Sequence, residues 1–361
     1  MPTRYTWAIL DQPTMPTVRT ERARTDPDRS GQVRPRRLLL WTGMLIVYLV
    51  WGSTYVGIKV AIETTPPLLM AAFRFIIAGS VLLAWSLARD RGSFEMPSRR
   101  QWRDAAIVGF LLLGGGNGII AWGETTVASG VAALLVAMVP LWLVVFGRLI
   151  YREGLPRLAG IGIVLGLAGV AILVWPFGAV ADTFSTAGIA ALIFAPICWA
   201  NGSLFSAHRA QLPSRPLVST GIQMLAGGIL LAAMGTASGE LGALHLERIS
   251  QASLIAFAYL TTVGSLLAFT TYAWLLRVAP LPLVGTYAYV NPVVAVLLGA
   301  FILGEPITPR ILVASAVIVV AVALVITVRS RMARSGAAEE PETRTAGART
   351  GPAAVLVDDA A

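Results

Sequence analysis

Few side chains in this sequence could pair, bind or carry a proton away from water. Lys59, Arg74 and Glu124 are ionisable residues within apolar runs or at their ends. Arg74 falls about seven residues into its run, or about 10 Å at 1.5 Å per helical residue. Burying an arginine in a bilayer costs about 2.5–3.5 kcal/mol on insertion scales, so it needs a partner or a wet path. Glu63, Glu124 or a substrate carboxylate would serve. The structural alternative is bonding to helix ends or to the loop after the first run. Glu124 would be a proton-linked carboxylate inside a cavity, or a solvated residue at a helix end. Lys59, the single lysine, either adds charge to a site or reaches for headgroups.

Uncharged candidates gather near these. Tyr48, Trp51, Gly52, Tyr55 and Lys59 share one face at helical spacing. Tyr48 and Trp51 fall near the centre of their run rather than at an interface, which suits a cavity wall. Trp199, with Asn201 and Ser203, occupies a related place later in the chain. Asn117 follows Gly114, Gly115 and Gly116 and lies on the face of Glu124; its amide could take polar groups of a substrate. The glycines favour close packing or local unwinding, and no GK[ST] follows to make a phosphate loop. Tyr287 and Asn291 lie one turn apart, immediately before Pro292. Asn291 would bind substrate or join two helices.

Composition confines the function. The chain has 361 residues, of which 56% are hydrophobic and 13% charged, and a mean hydropathy of +0.73. Soluble domains carry about 25% charged residues, so lipid must be the solvent here. One cysteine and two histidines leave no disulfide framework and no Cys- or His-rich metal centre. The net charge of +9 suggests nucleic acid until the arginines are located: they sit between apolar runs and in the tails. No Walker A, HExxH or Gly-x-Ser-x-Gly pattern occurs. We therefore expect no cofactor, no metal, no nucleic acid and no ATP drive.

The elements that must hold these residues are transmembrane helices. Apolar runs near 38–60, 67–88, 104–123, 127–150, 157–175, 187–207, 217–236, 252–276, 283–303 and 310–328 predict ten. Residues 1–37 and 333–361 are polar and read as disordered cytoplasmic tails. The runs form two sets, 38–175 and 187–328, related by a shift of 152 positions. The shift carries Pro140 to Pro292 and Glu153 to Glu305, and also pairs Ala121 with Ala273, Trp122 with Trp274, Gly147 with Gly299 and Ile150 with Ile302. Pro140 and Pro292 predict matched mid-helix kinks, freeing the carbonyls of Val136 and Ala288. Glu153 and Glu305 predict structural helix ends, capping the next helix or pairing with an arginine. With the N-terminus inside, Lys59, Arg248 and Arg310 fall outside, Arg74 within a span, and the rest of the 28 Lys and Arg inside. Both termini are then cytoplasmic. Five helices per half invert the second copy, the layout of an alternating-access carrier.

Trp51-Gly52-Ser53, Phe73-Arg74-Phe75, Gly130-Val131-Ala132-Ala133-Leu134-Leu135 leading into Pro140, and the closing Glu153 and Glu305 complete the pattern. It resembles the EamA-type branch of the drug/metabolite transporter superfamily over residues 38–330. The second half departs from it in one place, with Gln223 where the first has Arg74. The resemblance implies an all-α integral membrane protein: two inverted five-helix repeats, with helices 1–4 and 6–9 around a central cavity. It also implies export or exchange of small metabolites, often amino acids, across the bacterial inner membrane. The drive would be facilitated diffusion or a gradient of protons or another ion, in a monomer or homodimer. A passive channel-like conduit and a membrane-embedded enzyme are the rival readings.

Overall fold

The computed structural model describes residues 37–89, 96–152, 154, 157–174, 185–279, 281–284 and 286–347. Among them, nine helices are long and apolar enough to cross a membrane, and one apolar helix is shorter. In chain order these are α1 Arg37–Ala61, α2 Pro67–Arg89, α3 Arg99–Gly123, α4 Ser129–Tyr151 and α5 Arg157–Val174. There follow α6 Thr186–His208, α7 Pro216–Ala237, α8 Gln251–Tyr272, the shorter α9 Tyr287–Leu303, and α10 Pro309–Gly347. The described residues form no strand. Large apolar side chains such as Leu49, Ile77, Val164, Leu297 and Val320 are exposed on the outside of the bundle. A surface of this kind is stable against lipid tails, and helices are what a bilayer permits, since each satisfies its own backbone. The protein is an all-α, multi-pass membrane protein.

The two halves run antiparallel. Along α2 and α7, Leu69 meets Gly235, Ile76 meets Gly228, and Leu83 meets Gly221. Gly79 makes this approach possible: a Cβ there would lie 2.8 Å from the Gly221 carbonyl oxygen and 2.9 Å from the Leu225 nitrogen. Backbone atoms at that distance cannot give way. On the other flank α5 meets α10 in the same antiparallel sense, Gly162 near Val325 and Gly169 near Ile318. Each half also lends its first helix to the other. α1 packs against α8 and α9, while α6 packs against α3 and α4.

Local structure repeats between the halves, and also diverges. α3 is π-helical over Phe110–Gly118, and α8 over Leu260–Leu267. Such wide turns cluster at functional sites. α4 consists of two segments, Ser129–Val136 and Val139–Tyr151, and Pro140 sits in the first turn of the second. A proline loses nothing there, because first-turn N–H groups have no intrahelical acceptor. α9 instead contains Pro292 in its interior, and its interruption comes earlier, after the single turn Leu281–Val284. The two prolines are thus not matched mid-helix positions; only Pro292 lies inside its helix. The helix ends do match. Arg152 and Gly304 both adopt left-handed backbone, φ 57° and 67°, and their N–H groups donate to Gly147 and Gly299. Glu153 lies outside the described residues, as do residues 1–36 and 348–361 of the tails. α10, however, continues through Gly347, so residues 333–347 extend a helix where the sequence suggests an unstructured tail. The Ala, Glu and Arg of this stretch are good helix formers.

Candidate transport cavity and its closed end

A cavity of about 390 Å³ lies where the halves meet, lined from α1, α3, α6, α7, α8 and α9. It runs from an aromatic group at mid-bundle to the α6–α7 loop, which contributes Leu212 and Pro213. Trp51 is the hub of that group. Its ring lies 5.3 Å from Phe269, 4.9 Å from Tyr272 and 5.0 Å from Tyr287, mostly edge to face. Trp199 lines the same space from the other half. Ser203, Ser219, Thr220 and Gln223 supply hydroxyls and an amide, and Gln223 Nε2 donates to Ser219 Oγ at 3.0 Å. No charged side chain lines the cavity among the described residues.

Of the residues singled out in the sequence, Trp51, Trp199 and Tyr287 line the cavity. Tyr48 stands beside it, its hydroxyl hydrogen-bonded to Thr286 Oγ1 at the start of α9. Asn291 is buried and joins helices: its amide, turned as the surrounding acceptors require, donates to the Tyr287 oxygen at 3.1 Å and the Tyr48 oxygen at 3.2 Å. Asn201 spends its amide on the Ile197 carbonyl of its own helix, 2.9 Å away. Asn117 lies half-buried in the π-helical stretch of α3, outside the lining. Tyr55 packs into the main core. Arg74 is buried, yet neither Glu63 nor Glu124 is its partner. Its Nε donates to Ser265 Oγ at 2.8 Å, in the π-helical stretch of α8, and its guanidinium lies over the Phe75 ring. A widened turn brings Ser265 within reach, and apolar periodicity carries no sign of it. Ser203 beside Trp199 and Gln223 opposite Arg74 stood out in the sequence, whereas Ser219 and Thr220 were hidden, because single hydroxyls in a hydrophobic run look like helix filler.

The opposite end is shut by charged groups acting on backbone. Glu305 ends α9 but serves α4, the helix of the other half. One carboxylate oxygen accepts from the Ser129 N–H at 2.7 Å; the other accepts from the Ser129 hydroxyl at 3.0 Å and the Gly130 N–H at 3.1 Å. The sequence points to the next helix or an arginine as its partner. The antiparallel fold brings it instead to the free N–H groups and positive dipole end of α4. Glu240 does the same for α2, accepting from Leu68 at 3.3 Å and Leu69 at 2.9 Å. Thr64 donates to Ser253 Oγ at 2.8 Å, tying the end of α1 to α8. Lys59 is drawn inward rather than to headgroups, donating to the carbonyls of Glu124 and, at 3.1 Å, Val127. It thereby clamps the α3–α4 turn. Glu124 closes α3, wholly buried, and neither of its carboxyl oxygens has a hydrogen-bond partner in the protein.

Comparison with known proteins agrees with this architecture. Residues 39–175 and 186–327 each match the EamA-like transporter family. The uncharacterized inner membrane transporter YedA of Escherichia coli K12 is 38% identical over 303 residues, 81% of this chain and 92% of YedA. A probable amino-acid metabolite efflux pump of Salmonella typhimurium is 26% identical over 283 residues, 73% of this chain and 87% of that protein. One crystal structure superposes with a TM-score of 0.57 at 23% identity, covering 82% of this chain and 99% of its own, a likeness of fold.

Proposed function

The chain belongs to the EamA-like transporter family, and from that premise we propose a secondary active or facilitative transporter. It exports or exchanges small amphipathic metabolites, amino acids or similar compounds, across the bacterial inner membrane by alternating access. The tenth crossing is the pair Leu281–Val284 and Tyr287–Leu303, which completes two inverted five-helix repeats.

One observation carries the reading: the cavity sits between antiparallel halves and reaches one end, while the other end is closed. Its 390 Å³ is within the range of small-ligand sites, about 300–1,000 Å³. Aromatic faces against hydroxyls and an amide suit a solute with an apolar body and a polar head. A carboxylate arriving alone would find no cation among the described lining residues, which favours solutes of zero net charge. The end the cavity reaches bears Arg209, Arg215, Arg148, Arg152 and Arg157, so the positive-inside rule assigns it to the cytoplasm. The names of the relatives, an inner membrane transporter and an amino-acid metabolite efflux pump, point the same way.

The test is counterflow in proteoliposomes loaded with individual amino acids, using the tritiated compound outside. Saturable uptake that rises with unlabelled solute inside is expected for at least one neutral amphipathic member. Non-saturating flux would make the protein a channel. Chemical conversion of the solute would make it an enzyme.

A further inference from the structure

Among the described residues, Glu124 is the one buried side chain whose polar atoms have no hydrogen-bond partner. Both carboxyl oxygens are cut off from solvent and from every protein donor. Several groups act on it from the surrounding elements. α1 presents Tyr55 and Lys59, and the α9–α10 connection presents Glu305. The start of α6 closes over the turn with Leu192 and Gly188, which bear no charge. Arg74 of α2 donates to Ser265 in α8 and not to Glu124. Lys59 is the cation that acts on the carboxyl, yet its ammonium donates to the Glu124 and Val127 carbonyls and to neither carboxyl oxygen. Glu305, already a partner of α4, adds like charge. A buried carboxylate that accepts no hydrogen bond is far costlier than the neutral acid, and a cation bonded elsewhere offsets only part of that cost.

We propose that Glu124 is a proton-binding site that seals this end of the transporter. With the end shut it is held as the neutral acid. When the first turn of α4 parts from Glu305 and the α3–α4 turn moves out, the carboxyl meets water and releases its proton to that compartment. Lys59 then has a carboxylate to pair with in place of two carbonyls. Closing the end again takes one proton up from the same side. Acid on that side therefore favours the closed end, and alkali the open one. The closed-to-open ratio changes by up to about tenfold per pH unit once pH exceeds the carboxyl's exposed pKa. The proposal rests on alternating access, but its first test reads the proton without any transport.

Two measurements test it. Infrared spectra of reconstituted protein near neutral pH should show a buried, protonated carboxyl band that disappears in Glu124→Gln. If that variant does not insert, Glu124→Asp should shift the band. A spectrum without the band, or a band unmoved by both changes, overturns the proposal and leaves the transport reading intact. In a Cys198→Ala background, Val127→Cys places a thiol in the turn that Lys59 clamps, at a fully buried position. Its labelling by a membrane-impermeant reagent, normalised to the exposed Thr236→Cys, should rise severalfold as that side is made alkaline. Adding Glu124→Gln should hold it low at every pH. Labelling that ignores pH with Glu124 present would also overturn the proposal.

Discussion

α4 and α9 are copies of one helix, and their ends show how an inverted duplication makes two different ends of the bundle. Both finish in a left-handed residue, Arg152 or Gly304, bonded back to an equivalent glycine carbonyl. Beyond Gly304, Glu305 turns away from its own half and caps the first turn of α4. The end where α4 begins is thereby closed, and the cavity reaches the end where α4 stops. At that second end the α6–α7 loop is tied to α3 by Asp104, which pairs with Arg103 at 2.8 Å and accepts from the Gln211 N–H at 2.9 Å. The lesson is that a sequence repeat keeps the backbone turn that ends each helix while the surroundings of the two ends differ. Glu305 is engaged on a helix N-terminus at one end of the bundle, and the cavity reaches the other.

The largest effect should come from breaking the axis that relates the two copies. Gly79→Val would drive side-chain atoms into the Gly221 and Leu225 backbone, separating α2 from α7. Overpacking costs about 1–3 kcal/mol where neighbours can move, and more here. Loss of the monodisperse peak in detergent size exclusion is the expected result. Next, Glu305→Ala removes three hydrogen bonds from the start of α4. Leaving buried donors without partners costs about 1–3 kcal/mol each. That variant should open the closed end, read as strong labelling of Val127→Cys and a lower unfolding temperature.

Trp51→Ala then separates the cavity from its surroundings. It deletes the centre of the aromatic group and should raise the half-saturation concentration in counterflow about tenfold, the equivalent of about 1.4 kcal/mol. Asn201→Ala, whose amide serves only its own helix, should stay within about twofold. The smallest effect concerns the helix ends themselves. Arg152 holds a conformation that glycine adopts freely, so Arg152→Gly should stabilise the protein by about 1 kcal/mol in thermal melts, and Gly304→Arg should cost a similar amount.

Much of this was legible in the residues, and the remainder was hidden for physical reasons. Hydropathy gave the membrane-crossing helices, because lipid forces about 20 apolar residues per crossing. The central Trp51 and the repeat containing Glu305 also stood out. The partners did not. Ser265 meets Arg74, and Ser129 meets Glu305, only through packing between halves more than a hundred residues apart. The break in α4 before Pro140 and the intact helix around Pro292 carry the same proline signal in the sequence. Surrounding structure, not the proline, decides which helix is interrupted.

The central claim is that one end of the bundle opens only as the other closes. Spin labels on Thr125 and Leu241 would span the closed end, and labels on Tyr151 and Gln211 the end the cavity reaches. Pulsed electron–electron distance measurements in nanodiscs, with and without a transported solute, should show two populations in each pair. The account predicts that the populations move in opposite senses, one pair lengthening as the other shortens. Pairs that lengthen together, or that never change, would contradict it.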